Sequence, residues 1–269
     1  DKKTVVFTLK KRCAPFLHYL ALPEAAILSK SYTESKGGNL DTEPMGAGPF
    51  RFVEWNKGQN LIVEKFDDYY IPDKPKADRV EFSFYADDDA RTNALRSKEV
   101  DIIDYVPWKE IVGLEGDKNF KLDIQNGPIM DLSFNTGFKP FSDSRVRQAV
   151  SYAINRKNVV NMAFNGRSTP CYGFIFEKGF LGYNEKQSSY DPERAKKLLA
   201  EAGYPDGFKC RLLASSSYSM HQQTAIAVQN DLKQVGIEVT LDLPDWATRM
   251  NKVGDKDYDM FVNAMSGDY

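Results

Sequence analysis

Gly127–Asn155, GPIMDLSFNTGFKPFSDSRVRQAVSYAIN, decides the fold. Met130, Leu132 and Phe134 alternate with Asp131, Ser133 and Asn135, the period-2 pattern of a strand with one buried face. After the loop holding Gly137 and Pro140, Ser142-Asp143-Ser144 offers cap groups to the free amides of a helix start. Val146, Ala149, Val150, Ala153 and Ile154 then form one apolar stripe at helical spacing. Asn155 ends that helix and caps the next, 156–164, with Gly166 just past its end. The chain on either side reads as an α/β unit, so this stretch is where it crosses between two lobes.

Working back from the crossover, residues 4–9 alternate as a strand and 15–22 form a short apolar helix opened by Pro15. A polar connection over 35–43 leads to MGAGPFRFVEW, in which Phe50, Phe52 and Trp55 mark one side of a strand. NLIVEK, residues 60–65, returns as its partner around Asn56-Lys57-Gly58. Residues 79–85 are a further strand, and 87–98 a helix with acids at its start and Arg96 and Lys98 near its end, as the helix dipole favours. Strands are expected at 100–103 and 120–125, with a helical turn at 106–114 between them. Beyond the crossover lies an irregular aromatic stretch, 169–190. A helix at 191–202, a strand at 208–214, a helix at 220–234 and a strand at 237–243 follow, then a helix at 246–253 and a strand at 258–264. Alternating strands and helices predict an α/β fold.

The 269 residues suffice for two modest domains. With 36 Lys+Arg against 38 Asp+Glu and no basic tract, the electrostatic footprint of a nucleic-acid partner is missing. No run of apolar residues is long enough to span a bilayer. Cys13, Cys171 and Cys210 lack metal-ligand spacing; Cys171 and Cys210 are either an exported pair or ordinary thiols. The histidines, His18 and His221, read as structural or surface residues, and no nucleophile, phosphate-loop or zinc motif occurs. Asp87-Asp88-Asp89 lacks the spacing of a calcium loop and reads as acids opening a helix. This silence suits a binder better than a catalyst; no cofactor and no metal are expected. The chain opens and closes on strand patterns, so it is read as an excerpt of a longer protein.

Several segments resemble the family 5 extracellular solute-binding proteins, the dipeptide-, oligopeptide- and nickel-binding group that serves ABC importers. They are VVFTLKKRCAPFLHYLA, PMGAGPFRFVEW, EKFDDYY, DDDARTNALRSKEVDI, FNTGFKPFSDSRVRQAVSYAINRKNVV, YDPERAKKLLAEAGYPDGF, AVQNDLKQVGIEV and KDYDMFVNAMSGDY, in the family's order. The resemblance implies a type II periplasmic-binding-protein-like α/β fold of two lobes. Residues 1–40 would be a remnant of the family's extra N-terminal domain, 41–127 part of lobe one and 128–269 most of lobe two, with the hinge near 127–135. It implies a monomer at the periplasmic or extracellular face of the membrane, with or without a lipid anchor, that carries a peptide or small-molecule ligand to an ABC permease.

By the same resemblance, Asp104 and Tyr105 sit where lobe one sends side chains to the ligand. Trp108 belongs either there or to the core. Met130 and Asp131 lie on the hinge strand, Tyr172 and Phe174 in a capping loop, and Trp246 after the strand at 237. Met265 stands where the family usually has Trp, and Asp268 aligns with the acid that holds a peptide's amino group. Dipeptide binders carry an arginine where this chain has Ala214-Ser215-Ser216-Ser217-Tyr218, which argues against simple dipeptides. His221 has no second His or Cys near it, which argues against nickel. The competing expectations are a sensor or chaperone-like module of this fold and an enzyme using Asp104 and Asp268.

Overall fold

The computed structural model describes residues 4–124, 129–173 and 189–265, the side chain of Met265 excepted. The chain divides into two compact units, one up to Tyr85 and one from Ala86 onward.

The first unit is built on a three-stranded antiparallel sheet, β1 (Phe50–Asn56), β2 (Asn60–Lys65) and β3 (Arg79–Ser83), in that order. Phe52 and Trp55 are an odd number of residues apart, so an unbroken strand would send them to opposite faces. A bulge between Phe52 and Glu54 restores the phase. Phe52 then lies opposite Val63 and Val80, and Trp55 opposite Leu61 and Phe82, all on one face. The other face carries the buried Ile62 among polar residues, with Arg51 reaching Glu64 (3.4 Å) and Asn60 donating to Glu81 (2.5 Å).

Three expected strands are corrected. Residues 4–9 lie outside any strand, and Val5 and Val6 are exposed. Residues 100–103 do not form a strand, because the Val100 amide closes the preceding helix onto the Ala94 carbonyl, with Lys98 left-handed at φ +62°. Residues 120–124 lie outside any strand, and Gln125 falls outside the described residues. Alternation records which face of a segment would be buried, not whether a neighbour exists to pair with it.

The second unit holds a four-stranded sheet of β4 (Ile129–Phe134), β5 (Phe208–Leu213), β6 (Ile237–Asp242) and β7 (Met260–Met265), in the order β4-β7-β5-β6. β5 runs parallel to β6 and β7, while β4 runs antiparallel to β7. The helix Ser144–Ala153 forms as its stripe predicts, capped by Asp143. Its Val146, Ala149 and Val150 are fully buried against Leu199, Leu212, Leu232, Ile237 and Met260. Asn155 caps the helix Arg156–Phe164, and its own amide donates to the buried Asp231 (2.8 Å), fixing the junction of the two helices. Burial raises the Asp231 pKa, against the hydrogen bonds it accepts.

Reaching β6 from β5 and then β7 from β6 reverses direction along the sheet. Right-handed crossovers therefore place the two connecting helices on opposite faces. The helix Ser219–Lys233 brings Ala225, Val228 and Leu232 into the apolar core, whereas Arg249 of the helix Trp246–Gly254 lies over Phe261 (5.5 Å). At the amino ends of β5 and β6, Gly207 (φ +77°) and Gly236 (φ +88°) cross so closely that a Cβ on Gly207 would stand 1.9 Å from the Gly236 carbonyl oxygen. The three cysteines are free thiols, so Cys171 and Cys210 do not pair; burial pushes the Cys210 thiol up to about 12.

Candidate functional site

Parallel strands bring their carboxyl ends, and the loops that follow, to one edge of a sheet, where open α/β folds bind ligands. Here that edge carries residues 214–218 after β5 and 243–245 after β6. Antiparallel β4 brings its own start, Ile129 and Met130, to the same edge beside the end of β7. Serines tie the two loops together. The Ser216 amide and hydroxyl donate to the Pro244 carbonyl (2.9 and 3.2 Å), the Ser217 amide donates to Ser215 Oγ (3.1 Å), and the Trp246 amide donates to Ser217 Oγ (3.1 Å). Residues 215–217 thus carry hydroxyls that set the path of the chain into Trp246.

Those ties bring Trp246 perpendicular to Tyr218 (5.2 Å between ring centroids), and Tyr218 meets Tyr105 at 5.8 Å. His221, one turn into its helix, lies 5.6 Å from Trp246 and 5.9 Å from Tyr218. It is 1% exposed, with Nδ1 unpartnered, and desolvation together with the charge of Arg249 brings its pKa down to about 4. The imidazole is therefore neutral near pH 7. Arg249 stacks on Trp246 at 4.7 Å, and its Nη2 donates to the Val262 carbonyl (2.6 Å). Burial lowers its pKa and leaves its Nε without a partner. Tyr105 and Trp246 remain 48% and 38% exposed, so the wall has open aromatic surface.

A shielded ion pair stands behind this wall. Asp87 caps the helix Asp88–Arg96, and Asp89 pairs with Lys109. Asp88 Oδ1 accepts from Arg91 Nη2 (2.6 Å), while its Oδ2 accepts from the Ser219 hydroxyl (2.7 Å) and amide (3.3 Å). The same Arg91 nitrogen donates to the Tyr105 carbonyl (2.8 Å), and Tyr105 is left-handed at φ +56°.

The expected site residues distribute unevenly around this geometry. Tyr105 and Trp246 come together through Tyr218, and Asp104 accepts from the Tyr105 amide (3.0 Å) while staying exposed. Trp108 packs edge-on against Phe164 (5.2 Å), in a small apolar cluster that includes Met220 and Met130. Asp131 is half-buried opposite Asn263; desolvation raises its pKa against a hydrogen bond from that residue, and Oδ1 is unpartnered. Tyr172 lies under the Arg156 guanidinium (5.8 Å), whose Nε donates to the Cys171 carbonyl (2.7 Å). The Met265 backbone pairs with Ile129; Phe174 and Asp268 lie outside the described residues. Sequence reasoning missed Tyr218, His221, Arg249 and the Asp88–Arg91 pair. Their available signal was position: each opens or lies within the first turns of a helix. Among the described residues, no three His, Cys, Asp or Glu side chains gather as a metal site, and no helix is long and apolar enough to cross a membrane.

The model of the bacterial extracellular solute-binding proteins, family 5 middle, matches residues 1–269. The glutathione-binding protein GsiB of Escherichia coli (strain K12) is 34% identical over 258 residues, covering 95% of this chain and 50% of its own length. The chain thus spans about half the length of the curated relatives it matches. Among solved structures, AgaA from A. tumefaciens R10 in complex with agropinic acid superposes with a TM-score of 0.90 at 46% identity, over 96% of this chain and 53% of its own. DppA from Helicobacter pylori in complex with the peptide STSA gives 0.89 at 31% identity, over 97% and 52%. The α/β fold of this chain is that of these periplasmic binding proteins.

Proposed function

The chain belongs to the bacterial extracellular solute-binding proteins of family 5, and from that membership we propose that the protein captures a peptide or similar small solute outside the cytoplasm and delivers it, chemically unaltered, to an ABC import permease. The observation that carries this reading is the aromatic wall of Tyr105, Tyr218 and Trp246 at the carboxyl edge of the sheet. Open ring faces beside serine hydroxyls and the exposed Asp104 suit a solute with both apolar and polar groups. Relatives are named for glutathione, agropinic acid and the peptide STSA. The serines at 215–217 favour such ligands over simple dipeptides, because no guanidinium stands there to take a dipeptide's carboxylate.

Solute binding favours the state in which the most contacts form, so capture is a population shift and needs no chemical step. Asp104, Met130, Asp131, Tyr172, Phe174, Met265 and Asp268 are carried as further candidates for contact. The protein is read as a monomer acting at the periplasmic or extracellular face. Its lobes are assigned as 41–127 and 128–269, after a remnant domain at 1–40.

The test is native mass spectrometry of the full-length protein from its host, followed by titration with glutathione, agropinic acid and STSA while tryptophan emission is followed. A retained guest or an emission change, with the ligand recovered intact, is the expected result. Conversion of the ligand, or neither a guest nor a response to any of the three, overturns the reading.

A further inference from the structure

Removing two charges from water is costly, and an ion pair held away from solvent persists where further hydrogen bonds compensate. Asp88 and Arg91 are 14% and 16% exposed, and their compensating bonds do not run at random. The carboxylate takes both donors of Ser219, the residue that follows Tyr218. The guanidinium takes the carbonyl of Tyr105. One ion pair therefore grips the backbone at, or one residue from, two rings that meet at 5.8 Å. Tyr105 holds φ +56°, a conformation that a bulky L residue adopts only where its surroundings impose it.

We propose that the Asp88–Arg91 pair is a positioning device for the solute site, presenting Tyr105 and Tyr218 as one preset wall before any solute arrives. Neither charged group touches the solute in this scheme. They act by sparing the solute the cost of ordering the segment around residue 105, which is how preorganisation raises affinity. The inference rests on the reading that solute lies against these rings. A tie serving stability alone predicts something different, because it gives no reason for Arg91 and Tyr105 to be coupled in binding.

The experiment uses full-length protein labelled with 3-fluorotyrosine, the signals of residues 105 and 218 being assigned from Tyr105→Phe and Tyr218→Phe. In Arg91→Gln both signals shift, with the remaining tyrosines unmoved; Arg91→Lys, which keeps a cation and N–H donors facing Asp88, restores them in part. For whichever of glutathione, agropinic acid or STSA the wild type binds, Arg91→Gln weakens binding at least tenfold. Tyr105→Ala does the same, and the double variant loses no more than either alone. Unmoved fluorotyrosine signals, or additive losses of affinity, overturn the proposal. Shifted signals in a protein that binds none of the three probes leave the positioning role standing and strike instead at the capture of these ligands.

Discussion

Two interiors of the second unit contrast sharply. Around Val146, Leu212, Ile237 and Met260 the core is a continuous set of buried apolar side chains, and the buried Asp231 near it accepts a hydrogen bond from the Asn155 amide. At the carboxyl edge, His221 and Arg249 are buried to the same degree yet keep unpartnered nitrogens among Tyr218, Trp246 and Phe261. A buried polar atom without a partner costs on the order of 1–3 kcal/mol. The first interior gains stability from every contact it makes, while the second spends some of that stability to keep polar groups and rings in fixed positions.

The contrast breaks most visibly in the dry core. Leu212→Ala leaves a cavity on the central strand β5, with an expected loss of about 2–5 kcal/mol, read as a lower denaturant midpoint at unchanged slope. A loss below 1 kcal/mol would show that this interior is loosely packed.

The polar interior is probed by pH. His221 sits at about 4 in the fold against an ordinary 6.5. Between those values the unfolded chain binds a proton that the folded chain refuses. Stability therefore falls as pH drops from 6.5 toward 4, by up to about 3 kcal/mol, and this contribution is flat well above 6.5. Asp131 and Asp231, both raised by burial above an ordinary 3.8, act in the opposite sense as pH falls toward 3.8, since their folded forms take up protons first. The difference between wild type and His221→Phe isolates the histidine: the variant lacks this loss between pH 6.5 and 4. Parallel profiles for the two proteins would place the imidazole in contact with water.

The smallest effect is expected at the surface. Lys209 and Glu238 face each other across β5 and β6 at 2.9 Å, with side chains 79% and 66% exposed. Glu238→Gln changes stability by less than about 1 kcal/mol, and the denaturant midpoint checks it.

From Ile129 onward the sequence's periodicity located the strands and the longer helices to within about two residues, whereas the turn expected at 106–114 is the helix Ile111–Glu115 and the short helix Lys139–Ser142 falls in an expected loop. The same periodicity misplaced strands at 4–9, 100–103 and 120–124, because alternation appears whether or not a ladder forms, and the Val100 amide serves a helix end. It put Trp55 on the side of Phe52, and what makes this so is a bulge that shifts the phase without changing composition. In the site, Tyr105 was expected from the family resemblance alone, since no strand precedes it, whereas Trp246 does follow the strand β6. His221 did not, since one imidazole at a helix start looks alike whether solvated or enclosed. Asp88 was read as a helix-opening acid, while its second oxygen reaches a residue 131 positions away that no local pattern foretells.

The crossing of Gly207 and Gly236 makes the amino end of the sheet a fixed pivot, since bare backbone against bare backbone leaves no rotamer to adjust. The opposite end is laced by serine hydroxyls, which swing about a single bond and can trade one acceptor for another. Any adjustment of this sheet therefore comes more easily at the laced end than at the glycine crossing.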